Sequence, residues 1–282
     1  MKKGLVLEGG AMRGMFTAGV LDVLMENNIE FDGAIGVSAG AAFGCNFKSG
    51  QIGRAIRYNM KYCRDKRFSG LSCLLKDKNI FSTDFAYGEV PLHLDPFDFD
   101  TYQKNPMPFY VVCVDVETGK AVYHDYQGLE DGGFDWIRAS ASMPIVSQIV
   151  EINGQKLLDG GVIDSVPVKY FEQIGFEKNV VILTQPKGYL KKKNSMMPLI
   201  KIIYKQYPKL IEAMEHRHLV YNDTLTYIEK LEQEGKAFVI RPDEKLQVSK
   251  VEKNPEKLHE IYLLGRQTAS RLLPDMRTFL NI

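Results

Sequence analysis

The sequence predicts an α/β fold built on a mostly parallel sheet, and three observations near its start indicate this. Leu5-Val6-Leu7 is a short apolar run, typical of a strand that is buried on both faces. After a glycine-rich turn, residues 15–24 carry apolar side chains at helical spacing. A second apolar run, residues 31–37, then enters a stretch of small residues that suits a tightly packed helix. Strand, loop, helix, strand, sharp turn and helix form the opening of a parallel sheet.

The remaining chain continues the alternation of helices and strands after one irregular stretch, residues 64–100, for which we predict no ordered series of elements. A hairpin is predicted at 150–158, because Asn153-Gly154 between two alternating runs favours a two-residue turn. Prolines should end or interrupt helices. The other predicted elements are helices at 51–62, 134–142 (ended by Pro144), 196–234 (interrupted at Pro198 and Pro208) and 258–273, and strands at 109–114, 180–183 and 238–241.

Composition limits the class of protein. With 282 residues, 45% of them hydrophobic, the chain can bury the core of an α/β domain of about 200–250 residues and carry an appendage. A net charge of +1 gives no reason to expect a nucleic-acid partner. The first apolar run is too short for a signal peptide, and no run of 18 apolar residues exists, so we predict no membrane span. Four cysteines without metal-like spacing predict reduced thiols, no metal site and a cytoplasmic protein.

The first motif that carries chemistry is Gly36-Val37-Ser38-Ala39-Gly40, which matches the nucleophile elbow G-x-S-x-G. A serine on a tight strand-to-helix turn is held in a strained backbone conformation, and small neighbours let the turn close. Its hydroxyl then stands at the edge of the sheet, above a helix N-terminus that favours a developing anion. Ser38 is therefore the candidate nucleophile.

The second motif is the glycine-rich loop between the first strand and the first helix, Gly9-Gly10-Ala11-Met12-Arg13-Gly14. Such a loop can aim free backbone N–H groups at an anion. It has three interpretations: an oxyanion hole, a dinucleotide-binding loop, or a tight turn without a ligand. The dinucleotide fingerprint lacks its middle glycine, which is Ala11, although Glu30 or Asp32 lies near the distance expected for its acidic residue.

The third motif is Asp159-Gly160-Gly161, which directly follows an apolar strand. A carboxylate at a strand end is partly desolvated, and desolvation raises its pKa toward that of a useful base. The same tripeptide occurs at Asp131-Gly132-Gly133, but there no strand leads into it. We therefore favour Asp159 over Asp131, with a plain Asp-Gly turn as the alternative in both places.

Taken together, the three motifs resemble those of the patatin-like phospholipase family, in the same order along the chain. Leu5 to Gly14, Ile35 to Gly40 and Leu158 to Val162 match its three blocks, and residues 138–144 resemble its Ala-Ser-rich segment ending in proline. The resemblance covers about residues 4–185. It implies a three-layer sandwich, with helices on both faces of a mostly parallel central sheet, and a Ser-Asp dyad. One departure is Ala11, where the family has a third glycine.

The resemblance also implies roles for the motif residues in the hydrolysis of lipid acyl esters, without a metal or cofactor. Ser38 would attack the ester and Asp159 would take its proton, while the loop Gly9–Gly14 would form the oxyanion hole through the amides of Gly10 and Ala11. Arg13 would steady this loop or meet a substrate phosphate, and Gly36 and Gly40 would shape the elbow. Three other hypotheses stay open: a nucleotide-binding protein, an inactive scaffold, and an α/β-hydrolase with a Ser-Asp-His triad. The histidines that such a triad could use are His216, His218 and His259.

The chain beyond the motifs predicts a second segment and a membrane contact. We expect a catalytic domain at 1–185 and a helical C-terminal extension with a late strand at 186–282, packed on that domain. Residues 180–211 contain seven lysines and no acidic residue, with apolar side chains between them. This pattern predicts peripheral contact of the Lys187–Lys209 region with an anionic bilayer, here the inner membrane surface. The alternative is a core-packed helix with solvated lysines.

Overall fold

A computed structural model describes all residues, 1–282, and its centre is a sheet of eight strands. The strands are β1 (Lys2–Leu7), β2 (Gly33–Val37), β3 (Phe109–Asp115), β4 (Ala121–Asp125), β5 (Val150–Ile152), β6 (Gln155–Asp159), β7 (Phe176–Ile182) and β8 (Ala237–Ile240). Their order is β5-β6-β3-β2-β1-β7-β8, and β4 also pairs with β3. The five strands from β3 to β8 in this order are parallel, whereas β4, β5 and β6 pair antiparallel. The predicted mostly parallel sheet is confirmed.

Ten α-helices accompany the sheet. They are α1 (Gly14–Glu26), α2 (Ala39–Lys48), α3 (Arg54–Tyr62), α4 (Leu71–Asp77), α5 (Phe99–Lys104), α6 (Asp135–Ser140), α7 (Val168–Gln173), α8 (Met197–Ile203), α9 (Pro208–Gln233) and α10 (Pro255–Leu280). A stretch of π-helix occupies Phe85–Leu94, and single turns of 3-10 helix lie at Ala11–Arg13, Gly128–Asp131 and Gly160–Val162. No helix is long and apolar enough to cross a membrane.

The helices cover both faces of the sheet, as the alternation of side chains along β1 shows. Leu5 and Leu7 belong to a buried cluster that contains the apolar residues of α1, α2 and α10. Val6 points the other way and belongs to a cluster with residues of α7 and α9. Because both faces of the sheet are buried, the central strands have continuous runs of apolar residues in the sequence. The predicted three-layer α/β arrangement is confirmed.

Most predicted elements are present, and the differences have local causes. The irregular stretch 64–100 contains α4, α5 and the π-helix, which encloses Pro91. The helical region 196–234 is two helices, because Pro198 and Pro208 each stand in the first turn of one, where a missing N–H costs nothing. The closing helix is longer than predicted, since α10 continues through Pro274. Sequence analysis missed β4 and α7, which are short.

The C-terminal part of the chain is joined to the sheet and to α1. β8 pairs in parallel with β7 over four residues, so it forms one edge of the sheet. α10 crosses α1 so closely that a Cβ on Gly265 would overlap the carbonyl oxygen of Phe16, and one on Gly19 would overlap that of Tyr262. The division into domains at residue 185 stays a prediction.

Gly265→Ala should therefore lower the free energy of unfolding by about 1–3 kcal/mol, since α1 and α10 must move apart. This loss should appear although alanine stabilises a helix interior by about 1 kcal/mol relative to glycine. Gly88→Ala is the control, because a Cβ there would meet only the carbonyl oxygen of Thr83 at 3.7 Å. Urea unfolding measures both variants. Equal transition midpoints for the two would contradict the expected clash.

Candidate active site

Ser38 occupies a strained turn between the end of β2 and the start of α2. Its φ of 55° and ψ of −119° lie in a region that costs a non-glycine residue about 1–3 kcal/mol. The flanking glycines are needed for steric reasons. A Cβ on Gly36 would lie 2.5 Å from the carbonyl oxygen of Gly40, and a Cβ on Gly40 would lie 2.5 Å from that of Leu7. The turn therefore has the geometry that the G-x-S-x-G pattern predicts.

The pairing of β3 explains how Asp159 reaches Ser38 from 121 residues away. Residues 110–114 of β3 pair with β4 along one edge of the strand. On the other edge, β2 ends with Val37 opposite Val112, and β6 ends with Asp159 opposite Cys113. The ends of β2 and β6 therefore meet at consecutive residues of β3. Since Ser38 directly follows Val37, its side chain lies beside that of Asp159.

The two side chains form a direct hydrogen bond. Ser38 Oγ donates to Asp159 Oδ2 at 2.7 Å, and the backbone N–H of Gly161 donates to Oδ1 at 2.7 Å. Both residues are almost completely buried. Burial raises the pKa of Asp159 above its ordinary value, although the Ser38 hydroxyl, the Arg217 charge and the Gly161 amide offset part of this effect. A carboxylate with a raised pKa is a better proton acceptor.

Ser140 fixes the backbone of the turn, a role that sequence analysis did not assign to it. The N–H of Ser38 donates to Ser140 Oγ at 2.8 Å, and this hydroxyl in turn donates to the carbonyl oxygen of Val112 at 2.6 Å. Ser140 lies at the end of α6, within the Ala-Ser-rich segment of the sequence. It therefore connects the candidate nucleophile to β3. Only the fold brings together the Ser38 N–H, the Ser140 hydroxyl and the Val112 carbonyl, which are far apart in the sequence.

The glycine-rich loop borders Ser38 with two free amides. The N–H groups of Gly10 and Ala11 donate to no acceptor within the protein, whereas that of Gly9 donates to the carbonyl oxygen of Ser165 at 3.3 Å. A Cβ on Gly9 would lie 3.2 Å from the Cβ of Ser38, so the loop runs directly against the serine. Free donors at this place can stabilise an oxyanion formed on a carbonyl that Ser38 attacks.

Two residues of the loop show what the departure from glycine costs and how the loop is held. Ala11 has a φ of 48°, a left-handed conformation that costs alanine roughly 1–2 kcal/mol and glycine almost nothing. Arg13 Nε donates to Thr184 Oγ1 at 3.3 Å. Thr184 is in turn bound through its N–H and its hydroxyl to Glu8.

The other end of the loop packs against the protein. Met12 is buried, and a Cβ on Gly14 would lie 2.8 Å from that of Ala39.

An apolar pocket opens at Ser38. Twelve of its fourteen lining residues are hydrophobic, so it suits a hydrocarbon chain rather than a polar ligand. The lining comes from the loop, the elbow, α2, α3, the segments on either side of α4, the π-helix and the segment after α6. It consists of Ala11, Met12, Ser38, Ala39, Ala42, Phe43, Tyr58, Asn59, Phe68, Phe81, Ala86, Tyr87, Ala141 and Met143.

The residues of the competing hypotheses lie elsewhere or have other partners. Asp131 Oδ2 accepts the N–H of Gln127 at 2.6 Å and lies 2.8 Å from His124 Nε2, away from Ser38. Asp32 precedes β2 and accepts the N–H of Lys3, at the end of the sheet opposite the glycine-rich loop. It is therefore out of reach of a dinucleotide on that loop.

The three histidines of a hypothetical triad form no hydrogen bond with Ser38 or Asp159. His216 Nδ1 pairs with the carbonyl oxygen of Glu212 on its own helix, α9, which also carries His218. His259 lies on α10 beside Tyr262. The hydroxyl of Ser38 donates to the carboxylate of Asp159 instead.

Comparison with known proteins decides the family. The sequence profile of the patatin-like phospholipases matches residues 5–172, more than half of the chain and all three motifs. The chain belongs to the patatin-like phospholipase family. Residues 207–281 match a second profile, DUF6363, which describes a domain of unknown function. The patatin-like match covers Ser38, Asp159 and the glycine-rich loop, and the second covers all of α9, β8 and α10.

The sequence identity between this patatin-like chain and individual relatives is low. It is 29% identical to the uncharacterized protein YjjU of Escherichia coli K12, over 93% of this chain and 74% of the other. It is 29% identical to lysophospholipase nte1 of Emericella nidulans over 61% of this chain, but spans only 11% of that protein. Among solved structures, VipD of Legionella pneumophila aligns with 97% of this chain and 67% of its own, with 14% identity and a TM-score of 0.48.

Ser140→Ala should lower kcat by roughly tenfold or more with little change in KM, because the Ser38 N–H loses its acceptor and the turn loses its orientation. Ser142→Ala is the matched control, since the Ser142 hydroxyl donates only to the carbonyl oxygen of Arg138 within the same turn. Steady-state hydrolysis of a p-nitrophenyl ester measures both variants. Equal kcat values for the two would show that the Ser140 bond does not orient Ser38.

The raised pKa of Asp159 predicts the acidic limit of activity. Below this pKa the carboxyl is protonated and cannot accept the proton of Ser38, so kcat/KM should fall as pH falls through it. Because burial raises the pKa, the midpoint of this fall should lie above the ordinary aspartate value of about 3.9. A pH–rate profile, with circular dichroism to establish that the chain stays folded, measures it. A midpoint at or below that value would contradict the effect of burial.

Proposed function

We propose that the protein is a serine hydrolase that cleaves acyl esters of lipids through an acyl-enzyme on Ser38. One observation carries the proposal: the hydrogen bond from Ser38 Oγ to the buried carboxylate of Asp159 lies at the opening of an apolar pocket. A nucleophile, a base and a place for a hydrocarbon chain are what this reaction requires. Membership of the patatin-like phospholipase family supports a lipid substrate in general. The fungal relatives named lysophospholipases support an ester of a lipid as that substrate.

The proposed reaction uses only groups of this chain and water. Ser38 Oγ attacks the ester carbonyl carbon while its proton passes to Asp159 Oδ2. The N–H groups of Gly10 and Ala11 bind the oxyanion, and losing one such donor typically costs about 10²–10³ in kcat. The carbon–oxygen bond to the alcohol then breaks, and Asp159 returns its proton to the leaving alcohol. Water attacks the acyl-enzyme with Asp159 again as base, which releases the fatty acid and restores Ser38.

Replacing either member of the pair tests the proposal. Ser38→Ala and Asp159→Asn should each lower kcat/KM by about 10³-fold or more. Asp159→Asn should not lower the melting temperature at pH 7. Because the pKa of Asp159 is raised in the folded protein, its carboxyl group stabilises the fold only while it is protonated. That contribution is lost as pH rises through this pKa, so removing the charge at pH 7 costs no stability. Asp131→Asn, outside the site, is the control.

Labelling by a fluorophosphonate probe separates the proposal from its alternatives. The wild type should be labelled and Ser38→Ala should not. A folded wild-type protein that fails to label would favour an inactive scaffold or a nucleotide-binding protein. Labelling that persists in Ser38→Ala would mean that another residue is the nucleophile.

We also propose that α8 and α4 contact an anionic membrane surface. Met197 and Ile200 pack inward against Val114 and Leu158, yet Leu199, Ile202 and Ile203 on the other side of α8 are exposed, Ile202 by 71%. The predicted alternative, a core-packed helix with solvated lysines on its outer face, accounts for Met197 and Ile200 but gives no reason for the exposed apolar side chains. Exposed apolar side chains among lysines suit the surface of an anionic bilayer. The neighbouring lysines are Lys192, Lys193, Lys201 and Lys205.

The position of this surface beside the pocket supports the proposal. Tyr204 OH, just after α8, accepts the N–H of Ile145 at 2.9 Å. On the other side, the N–H of Ile80, just after α4, donates to the carbonyl oxygen of Val146 at 2.7 Å. Met143 of the same segment lines the pocket. The segment 143–148 therefore lies between α8 and α4, and α4 adds the exposed Leu71 and Leu75.

Ile202→Asp should reduce co-sedimentation with vesicles of anionic phospholipid several-fold, because it places a charge in the apolar contact. Leu129→Asp is the control: Leu129 is 52% exposed and follows the end of β4, which pairs with the start of β3 at Tyr110, whereas α8 packs near the other end of β3, at Val114. Neutral vesicles should bind the wild type less than anionic ones. If wild type, Ile202→Asp and Leu129→Asp sediment alike with anionic vesicles, α8 makes no membrane contact.

A further inference from the structure

Three basic side chains without an ion-pair partner lie close to one another, and two of them, Lys191 and Arg217, lie near Asp159. Arg13, Lys191 and Arg217 are each partly buried, and none of them forms an ion pair. None of them lines the apolar pocket either. Holding cations together while removing water from them costs free energy unless an anion joins them. No ion pair within the protein therefore offsets the cost of holding these three cations together.

Arg217 reaches the site from α9. Its Nε donates to the carbonyl oxygen of Gly161, whose own N–H donates to Asp159 Oδ1. One residue thus separates the Arg217 guanidinium from the candidate base. Nε is only one of five donors on this group, so the others remain for a ligand. A planar guanidinium matches the oxygens of a phosphate particularly well.

The side chain of Lys191 lies over α9, one helical turn beyond Arg217. Its Nζ lies 4.0 Å from the centre of the Tyr221 ring, and Tyr221 follows Arg217 by four residues, so both side chains share a face of α9. The backbone of Lys191 is fixed by Asn222, which accepts its N–H at 2.8 Å and donates to its carbonyl oxygen at 3.1 Å. Two hydrogen bonds to one side chain position this lysine, which is not the behaviour of a free surface residue.

The nearby carboxylates do not neutralise the cluster. Glu8 Oε1 accepts the hydroxyl of Tyr221 at 2.6 Å, and Oε2 accepts the N–H and the hydroxyl of Thr184. Asp159 is bound by Ser38 and Gly161. Burial, followed by the charge of Arg217, lowers the pKa of Lys191 to about 7, and Arg13 and Lys250 add to this while Glu8 opposes it only in part. An anion bound among these cations would relieve their repulsion.

We infer that Lys191 and Arg217 bind a phosphate group on the alcohol side of the scissile ester, while the acyl chain occupies the apolar pocket. The substrate class is then an anionic amphiphile whose phosphate lies close to the ester. This inference rests on the proposed function, since it assigns the part of the substrate that leaves as the alcohol. It also gives the C-terminal segment a direct part in substrate choice, because α9 carries Arg217 and positions Lys191.

Two substrates with the same acyl chain test the inference: a monoacylglycerol phosphate and the uncharged monoacylglycerol. The wild type should hydrolyse the phosphate ester with the higher kcat/KM. Lys191→Met should reduce that preference at least tenfold, because kcat/KM for the phosphate ester should fall far more than kcat/KM for the uncharged ester. Lys193→Met is the control, because Lys193 is exposed on the same segment. Arg217 is less suitable for substitution, since it also contacts Gly161 beside Asp159.

Inorganic phosphate gives a readout that does not depend on hydrolysis. It should raise the melting temperature of the wild type and of Lys193→Met, but not that of Lys191→Met. Equal kcat/KM for the two esters in the wild type, or equal losses on both in Lys191→Met, would overturn the inference and leave the hydrolase proposal intact. If neither ester is cleaved and the fluorophosphonate does not label Ser38, the proposed function fails instead. Phosphate stabilisation without preference for the phosphate ester would show a site for free phosphate only, which also overturns the inference.

Discussion

The arrangement of this site depends on one edge of β3, along which two strands meet end to end. β2 pairs with this edge up to Val112, and β6 takes over at Cys113. This change of partner places Ser38, which follows β2, in hydrogen-bonding contact with Asp159, the last residue of β6. The sheet, and no flexible loop, sets the distance between them. Ser140 binds at the same place, through the carbonyl oxygen of Val112. A rigid sheet therefore sets the distance between the two side chains with the precision that the proposed proton transfer needs.

The site collects several features that are unfavourable for stability. Ser38 and Ala11 have positive φ angles, Asp159 is a buried carboxylate, and two partly buried basic side chains near it, Lys191 and Arg217, form no ion pair. Each of these costs free energy in the folded state. The surrounding structure offsets the cost with a sheet buried on both faces and with the close crossing of α1 and α10 at Gly19 and Gly265. Concentrated strain within a well-packed scaffold is the usual condition of a functional site.

The sequence alone was sufficient for the elements with strong local signals. Continuous apolar runs predicted the central strands, and glycine patterns predicted the tight turn at Ser38 and the neighbouring loop. β4 was missed because all five of its residues are only half-buried, which leaves neither a continuous nor an alternating pattern. Ser140, Lys191 and Arg217 could not be assigned roles, because their partners lie far away in the chain and only the fold brings them together. Local patterns determine elements, whereas contacts between distant segments determine most of the site.

The pairing of β8 with β7 has a consequence for any shortened form of the chain. β7 lies beside β1 in the parallel part of the sheet, and its outer edge is covered by β8 alone. A chain that stops at residue 185, the predicted end of the catalytic domain, would keep β7 but leave the backbone amides and carbonyls along its outer edge unpaired. Exposed edges of this kind recruit further strands from other molecules. β8, with four residues, replaces the edge of the seven-residue β7 by a shorter one, which is one way in which proteins limit pairing between molecules.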